Sequence, residues 1–475
     1  MMASEFDTVI RSGCVVTSSE QFVADVGIKA GLIAAIGAAL PPGTRDIDAA
    51  GKLVLPGGVD NHAHIEQISA SGVLNADDWE SATKAAAFGG NTTVIAFAAQ
   101  HVGMSLRKVV DDYHLLARKG AVIDYSFHLI IADPNPQTLE HDLPALLERG
   151  YQSVKLFTTY DKLKIDDESF LDILQITGTR GGLVSVHAEN HGMIKWRTKN
   201  LVMSGHTAPV AHAMAHPREA EIDAIARVIR MAQLAGQPIM IFHVSTAEGA
   251  EIVRQARSRG QSVYAETCSH YLLLTEAAMD RPMPEGAMWM CSPPLRKDSD
   301  REALWAALDS GVLQMVSSDH APYAYDSTGK LRAGPMPRFD QIPSGLPGIG
   351  LRLPLMFDDM VRRGLPLQKF VEWTSTAPAK LYGLYPRKGT IAVGADADIA
   401  IWDPEAQRRV ARDIILDRTG YSPYQDRILN GWPEAVMLRG ELIVERGSVT
   451  GKVGFGQFLV QDRSRSDLKG RRAAT

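Results

Sequence analysis

The sequence has few cysteines, no long hydrophobic run and no excess of basic charge, and each absence argues against a class of protein. Three cysteines in 475 residues (Cys14, Cys268 and Cys291) are odd in number and widely spaced, so they do not form a disulfide framework. No apolar run approaches the length that a bilayer crossing needs. Residues 1–7 lack the basic segment followed by an apolar one that is typical of a signal peptide. We therefore expect a soluble cytoplasmic protein.

Charge and size narrow the possible partners and the expected number of domains. A formal net charge of -5, with no basic stripe before the C-terminal segment, gives no support for nucleic-acid binding. Hydrophobic content of 45% and charged content of 22% are ordinary for a globular protein. A chain of 475 residues is too long for one small core. One large domain and one smaller domain are expected, with no partner among nucleic acids or membranes.

The two ends of the chain share a pattern of short strands. Residues 6–50 alternate short β-prone pieces with turns, and the same rhythm returns after about residue 385. The simplest account is one β-sandwich domain built from residues 1–54 and 386–455. The segment 456–475 is polar and carries Arg463, Arg465, Lys469, Arg471 and Arg472. It is read as a solvated tail, or alternatively as an arm that contacts a neighbouring subunit.

The middle of the chain, residues 55–385, alternates apolar strands with helical segments, which is typical of βα units around a parallel sheet. Helical spacing of apolar residues is clearest over 219–234 and 247–259. Eight strands with outer helices predict an α/β fold, a TIM-like (β/α)8 barrel. The predicted strands cover residues 53–59, 92–97, 125–131, 153–157, 183–186, 238–242, 262–265 and 313–316.

A His-x-His pair follows the first of these strands. On an extended chain, side chains alternate between faces, so His62 and His64 point the same way. Two imidazoles that project together from a strand end suit a divalent metal ion. The alternative for an isolated pair is two surface histidines in a loop.

Other strands deliver metal-compatible groups at the same end. Lys155 lies in the fourth strand, and His187, His243 and Asp319 follow the fifth, sixth and eighth. Taken singly, each has a structural explanation: a satisfied core histidine, a lysine that extends to water, an aspartate that caps a helix. Because the strand ends of a barrel converge on one face, the whole set favours a metal site.

Lys155 is the unusual member of this set. A protonated ammonium donates hydrogen bonds and cannot ligate a cation. Carboxylation by carbon dioxide would convert it into a carbamate whose two oxygens could bridge two metal ions. That reaction needs a neutral amine, which an apolar strand favours by lowering the lysine pKa.

Longer motifs around these residues resemble a known family. The chain is similar to the dihydropyrimidinase/hydantoinase branch (cyclic amidohydrolases) of the amidohydrolase superfamily over nearly its whole length. The motifs that carry the resemblance are His62-Ala-His64-Ile-Glu66, Val154-Lys155-Leu-Phe, His187-Ala-Glu-Asn190, His243-Val-Ser, Glu266-Thr-Cys-Ser-His270-Tyr271, Cys291-Ser292-Pro-Pro-Leu-Arg296, Ser318-Asp319-His-Ala-Pro-Tyr323, Pro343-Ser-Gly-Leu-Pro-Gly and Lys388-Gly-Thr-Ile-Ala-Val-Gly-Ala-Asp-Ala-Asp398.

The resemblance implies a binuclear metal centre, most simply of zinc. One zinc would be held by His62, His64 and Asp319, the second by His187 and His243, with N6-carboxylated Lys155 bridging both. A hydroxide between the metals would be the nucleophile. Asp319 would orient it, accept its proton and pass that proton to the leaving ring nitrogen.

The resemblance also implies substrate contacts and an assembly. Tyr160 would donate its hydroxyl to the oxyanion, and Ser292 would hold the ring amide through backbone groups. Ser344 occupies a substrate-binding position where the family usually has asparagine. The implied reaction is hydrolytic ring opening of a hydantoin or dihydropyrimidine to an N-carbamoyl amino acid. Relatives commonly form tetramers, so a homotetramer (or homodimer) is expected.

Departures from the family pattern leave other substrates open. Gln67 and Ile68 follow Glu66 where a methionine and an aromatic are usual, and residues 99–104 and 325–339 are also atypical. An allantoinase-like or dihydroorotase-like hydrolase, or one for another cyclic imide, is the alternative. Dihydroorotases, however, place an arginine soon after the His-x-His, where this chain has Ile65 and Glu66, which favours a neutral ring. A non-catalytic scaffold relative would lack the ligands, and all six positions are filled here.

Overall fold

The structure, a computed structural model, describes residues 4–465 and contains two β-sheets. The strands are β1 (Phe6–Val16), β2 (Gln21–Lys29), β3 (Leu32–Gly37), β4 (Gly43–Asp48), β5 (Leu53–Pro56), β6 (Gly58–Ala63), β7 (Asn91–Ala99), β8 (Asp124–Ile130), β9 (Ser153–Phe157), β10 (Leu183–His187), β11 (Ile239–Ile241), β12 (Val263–Cys268), β13 (Met315–Ser317), β14 (Ile399–Arg409), β15 (Ile428–Leu438), β16 (Glu441–Glu445) and β17 (Ser448–Val449).

Helices occur mainly between the strands of the middle region. They are α1 (Trp79–Phe88), α2 (Leu106–Gly120), α3 (Leu143–Glu148), α4 (Asp167–Thr179), α5 (His191–Met203), α6 (Ala211–Ala215), α7 (Arg218–Ala235), α8 (Ala247–Ser258), α9 (Ser269–Leu273), α10 (Asp298–Asp309), α11 (Arg352–Arg362), α12 (Leu367–Val371) and α13 (Ala377–Leu381). The helices predicted over 219–234 and 247–259 are therefore confirmed as α7 and α8. Within residues 4–465, no helix combines the length and hydropathy that a membrane crossing needs.

Strands β6 to β13 form the predicted barrel. They pair in sequence order, each in parallel register with its neighbour. The first and last strands approach each other where Ala63 bridges His320. Nearby, the Ser318 hydroxyl donates to the His62 carbonyl at 3.1 Å. The prediction of a (β/α)8 barrel is confirmed, and this junction places the two ends of the barrel sheet beside the first histidine pair.

The predicted first barrel strand, residues 53–59, is wrong in its assignment. Residues Leu53–Pro56 form β5 of the other sheet, and the barrel begins only at Gly58. Gly57 alone separates the two strands, and a Cβ on Gly57 would lie 2.2 Å from the Thr92 hydroxyl oxygen. The apolar run is continuous because both of its halves are buried, so hydrophobicity alone could not show the change of sheet.

The second sheet joins both chain ends, as predicted for the β-sandwich domain. Its nine strands include β1 to β5 from the N-terminal side and β14 to β17 from the C-terminal side. Strand β5 lies between β1 and β14, so it connects the two halves. A separate apolar core, which includes Ile10, Val26 and Ile399, fills this domain.

The segment from residue 456 differs from the expected solvated tail. Phe458 stacks on Tyr151 with ring centroids 5.1 Å apart, and the Tyr125 amide donates to the Gln457 carbonyl. Leu459 is buried. The apolar residues between 455 and 460 explain this packing. They bury apolar surface of the barrel, which is favourable and which a polar tail could not do. Residues 466–475, with Lys469, Arg471 and Arg472, lie outside the described residues.

Candidate active site

The six metal-compatible side chains of the sequence analysis line one cavity of about 600 Å³ at one mouth of the barrel. They are His62 and His64 from the end of β6, Lys155 from β9, His187 from β10, His243 after β11 and Asp319 after β13. Tyr160, Ser292 and Ser344, the three expected substrate contacts, line the same cavity. All the side chains singled out from the sequence are therefore brought together.

Asp319 lies at the centre of the histidines. Its Oδ1 is 3.1 Å from His62 Nε2 and 3.5 Å from His64 Nε2. Ligand atoms of His62, His243 and Asp319 all lie within 4.8 Å of one another. The rings of His187 and His243 are 4.4 Å apart between centroids. Asp319 does not cap a helix, since the next α-helix begins only at Arg352.

Three of the histidines are oriented by oxygen atoms behind them. Glu266 accepts a hydrogen bond from His62 Nδ1 at 2.6 Å, and Gln67 accepts one from His64 Nδ1 at 2.8 Å. Glu189 accepts from His187 Nε2 at 2.7 Å. Each acceptor fixes the tautomer and leaves the other ring nitrogen with a free lone pair for a cation. Sequence reasoning assigned no role to these three acceptors.

The protonation of these groups suits ligation. Burial lowers the pKa of His64, His187 and His243, so these rings are neutral at pH 7. Burial opposes protonation of His62 as well, but the charges of Asp319 and Glu266 outweigh it and raise its pKa. Two carboxylates near one imidazole therefore favour a positive charge at this point, which a metal ion could supply in place of a proton.

The His243 side chain tests whether a cation fits the cavity. Its Nδ1 is buried and has no hydrogen-bond partner among the described residues. An unpaired buried polar atom costs free energy, and a bound cation would satisfy it. His243 and Asp319 also have positive φ values, 41° and 43°, which are strained for residues with side chains. The donor set and the strain at both strand ends fit a metal centre.

Lys155 is buried among aromatic rings. Its Nζ is 4.0 Å from the ring centroid of Phe242 and 5.0 Å from that of Phe157. Burial lowers the pKa of Lys155 to about 7, although the charges of Asp319 and Glu266 act against the shift. A large fraction of the side chain is therefore a neutral amine near pH 7, as carboxylation requires.

Tyr160 and Ser292 line the cavity with the strand-end side chains, and the Tyr160 ring lies 5.3 Å from that of His187 between centroids. Burial and the charge of Glu189 raise the pKa of Tyr160 well above its ordinary value, so its hydroxyl stays protonated. The Ser292 hydroxyl is 3.3 Å from His212 Nε2. The same nitrogen lies 2.7 Å from the Cys291 carbonyl, which fixes the backbone before Ser292.

Two further histidines, which sequence reasoning missed, line the cavity. His216 Nδ1 donates to Glu189 at 2.9 Å, and the rings of His212 and His216 are 4.5 Å apart. A chain of contacts thus runs from His187 through Glu189 to the Ser292 segment. The His212-x-x-x-His216 spacing, which can place both rings on one side of a helical turn, was the available signal.

Comparison with known proteins gives consistent matches over nearly the whole chain. The model of the amidohydrolase family matches residues 53–443. A D-hydantoinase of Ralstonia pickettii is 41% identical over 454 residues, which cover 95% of this chain and 98% of the relative. A D-hydantoinase of Geobacillus stearothermophilus is 40% identical over 95% of this chain and 96% of its own length.

Solved structures agree with the sequence matches. A D-hydantoinase structure superimposes with a TM-score of 0.93 and 40% identity, covering 96% of this chain and 99% of the other. A dihydropyrimidinase from Brevibacillus agri has the same TM-score and coverage at 38% identity. An L-hydantoinase (dihydropyrimidinase) from Arthrobacter aurescens has a TM-score of 0.85 and 28% identity, over 96% of this chain and all of its own.

Proposed function

Because this chain belongs to the amidohydrolase family, within its hydantoinase and dihydropyrimidinase group, we propose that it is a metal-dependent hydrolase of cyclic amides. The reaction would open a hydantoin or dihydropyrimidine ring and release an N-carbamoyl amino acid. The observation that carries this proposal is the convergence of four imidazoles, a lysine and a carboxylate at one mouth of the barrel.

The proposed cofactor is a pair of divalent metal ions, most simply zinc. His62, His64 and Asp319 would hold one ion, and His187 and His243 the other, with a carbamate on Lys155 bridging the two. The unpaired Nδ1 of His243 and the lowered pKa of Lys155 support this assignment. When bound, the ions supply Lewis acidity, which polarises an amide carbonyl and lowers the pKa of water to about 7.

The protein's own proton carrier would be Asp319. Burial opposes its ionisation, but the neighbouring His62 and His64 hold the pKa of Asp319 well below its ordinary value. As a carboxylate it can accept a proton from the attacking water at an Oδ atom. It can then return that proton to the ring nitrogen as the carbon–nitrogen bond breaks, so the carboxylate is regenerated.

The remaining cavity residues would hold the ring and stabilise developing charge. Tyr160, with its protonated hydroxyl, would donate a hydrogen bond to the carbonyl oxygen as that oxygen gains negative charge. Ser292 and Ser344, on two separate segments, would present backbone groups to the ring amide. The His212 contact to the Cys291 carbonyl supports a fixed position for the first of these segments.

A homotetramer in the cytoplasm is the proposed state of the chain. Helix α5 exposes large apolar side chains, with Trp196 at 64% and Met203 at 74% exposure. Met214 on α6 is also exposed. Exposed apolar groups on neighbouring helices are typical of an interface, here between copies of this chain. Sedimentation of wild type and Trp196→Glu tests it: dissociation of the variant supports the interface, and a monomeric wild type contradicts it.

A hydrolysis screen tests the proposed reaction. Hydantoin, 5-substituted hydantoins, dihydrouracil, succinimide and dihydroorotate would be offered to protein supplied with zinc or manganese. We expect ring opening of a hydantoin or of dihydrouracil, seen as the N-carbamoyl product by mass spectrometry. Turnover of dihydroorotate alone would show that the substrate is an anionic ring instead of a neutral one. No turnover of any ring would refute the proposal.

A further inference from the structure

Lys330 is a buried lysine that does not belong to the six metal-compatible side chains. It is 0% exposed and lies in the segment between Asp319 and Ser344. Its ammonium donates two hydrogen bonds, to the Met290 carbonyl at 3.2 Å and to the Pro343 carbonyl at 3.1 Å. Its own amide donates to the Ala324 carbonyl, which fixes the backbone from which the side chain extends.

Both acceptors belong to segments that line the active-site cavity. Met290 lies two residues before Ser292, and Pro343 directly precedes Ser344. We call residues 290–292 and 343–345 the ring-binding wall. The Gly345 amide also donates to the Met290 carbonyl, at 2.9 Å, so the two segments meet at one shared acceptor. Lys330 therefore links two parts of the chain more than 50 residues apart at the point where they face the cavity.

Burying a lysine at this position costs free energy of folding. Burial lowers the pKa of Lys330 to about 7, and both of its hydrogen-bond acceptors are neutral carbonyls. A methionine would fill a similar volume without loss of hydration. What the lysine alone adds is a pair of N–H donors that can reach both carbonyls. Those carbonyls would otherwise be buried with less than their full set of partners.

We propose that Lys330 is a positioning residue that sets the distance between the two segments of the ring-binding wall, and so controls substrate binding. This inference rests on the proposed function. Within residues 4–465, no hydrogen bond joins Lys330 to the six metal-compatible side chains, so its effect falls on ring binding rather than on metal content.

The test compares Lys330→Met with Thr376→Val. Thr376 is a matched control, since its buried hydroxyl also donates to a carbonyl, that of Gly389, at 2.6 Å, away from the cavity lining. For Lys330→Met we expect KM for the best ring substrate to rise about tenfold, with kcat changed less than about threefold. Metal content should match wild type, and Thr376→Val should keep the wild-type KM.

Hydrogen exchange gives a second measurement that does not depend on turnover. In Lys330→Met the Gly345 amide should exchange faster than in wild type or in Thr376→Val, because the shared acceptor is no longer held. If Lys330→Met does not fold, Lys330→Gln replaces it in the test. The glutamine side chain is too short to reach both carbonyls, so KM should rise at least about threefold.

Failure of this inference differs from failure of the proposed function. If wild type opens no cyclic amide, the proposed function falls and this inference falls with it. A second outcome is that wild type is active and that Lys330→Met, folded and loaded with metal, keeps the wild-type KM. That outcome refutes only the role of Lys330. The same conclusion holds for Lys330→Gln where it replaces Lys330→Met. An equal rise of KM in Thr376→Val would refute it too, because the effect would then be general.

Discussion

Glu266 accepts a hydrogen bond of 2.6 Å from His62, although 204 residues separate the two in the chain. The carboxylate fixes Nδ1 of the ring, so Nε2 faces Asp319 across 3.1 Å. A second carboxylate oxygen of Glu266 accepts from the Asn61 side chain at 2.5 Å. Strand β12 thus orients the first proposed metal ligand on β6, across the junction where the two ends of the barrel sheet meet.

Glu266→Ala should weaken metal binding by about 10–100-fold, because His62 loses the acceptor that fixes its tautomer and ring orientation. Competition with a chromogenic chelator measures the affinity. Glu266→Gln retains an acceptor oxygen and should lose much less. Unchanged affinity in Glu266→Ala would show that the hydrogen bond does not support a metal ligand.

Lys155→Ala should lose activity and most of the bound metal, because no carbamate can then form between the two ions. Metal analysis by mass spectrometry and ring-opening assays measure both losses. Lys330→Met is the matched control, since it also replaces a fully buried lysine and should keep its metal. Full activity in Lys155→Ala would refute the bridging role.

Asp319→Asn should reduce kcat far more than it changes KM, since the amide cannot take up the proton of the attacking water. The expected loss in kcat is about 10²–10⁴-fold, measured together with metal content. Asp340→Asn is the control: this carboxylate lines the same cavity but pairs with Arg338. If Asp319→Asn, with its metal bound, turned over at the wild-type rate, another group would have to carry the proton.

Asp417→Asn should stabilise the protein at neutral pH. Burial, together with the charge of Asp77, raises the pKa of Asp417 to about 6. The unfolded chain, with an aspartate pKa of about 4, releases this proton first, so Asp417 costs stability as pH rises from about 4 to 6. The penalty is complete only well above pH 6 and is on the order of 3 kcal/mol.

Thermal unfolding of wild type and Asp417→Asn at several pH values checks this prediction. The variant should melt higher at pH 7.5, and the difference should shrink towards pH 4. Exposed Asp413 provides the control substitution, Asp413→Asn, which should change little. A difference that does not depend on pH would contradict the assigned cause.

Much of the fold could be predicted because the signals are local. The helical spacing over residues 219–234 and the apolar strands between polar ends specify the barrel without tertiary information. The change of sheet at Gly57 could not be predicted, because Leu53–Pro56 and Gly58–Ala63 are equally buried. The packing of Phe458 was also missed, since arginines dominate that segment while a few apolar side chains determine where it lies.

Only those site residues could be predicted whose type and position at a strand end indicate a metal ligand. Groups such as His187 and His243 stand out because a barrel gathers its strand ends. Their partners do not stand out: Glu189 and Gln67 are ordinary polar residues until the fold sets their distances. Lys330 gave no signal either, because its role depends on two carbonyls that no sequence pattern marks.

The central claim is that two metal ions on these six side chains drive ring opening, and a metal titration tests it most directly. Metal-free protein would be titrated with zinc in bicarbonate buffer, with hydrolysis of hydantoin or dihydrouracil recorded at each step. We predict no turnover without metal and a plateau at about two zinc ions per chain. Turnover by metal-free protein, or a plateau with one ion per chain, would contradict the account.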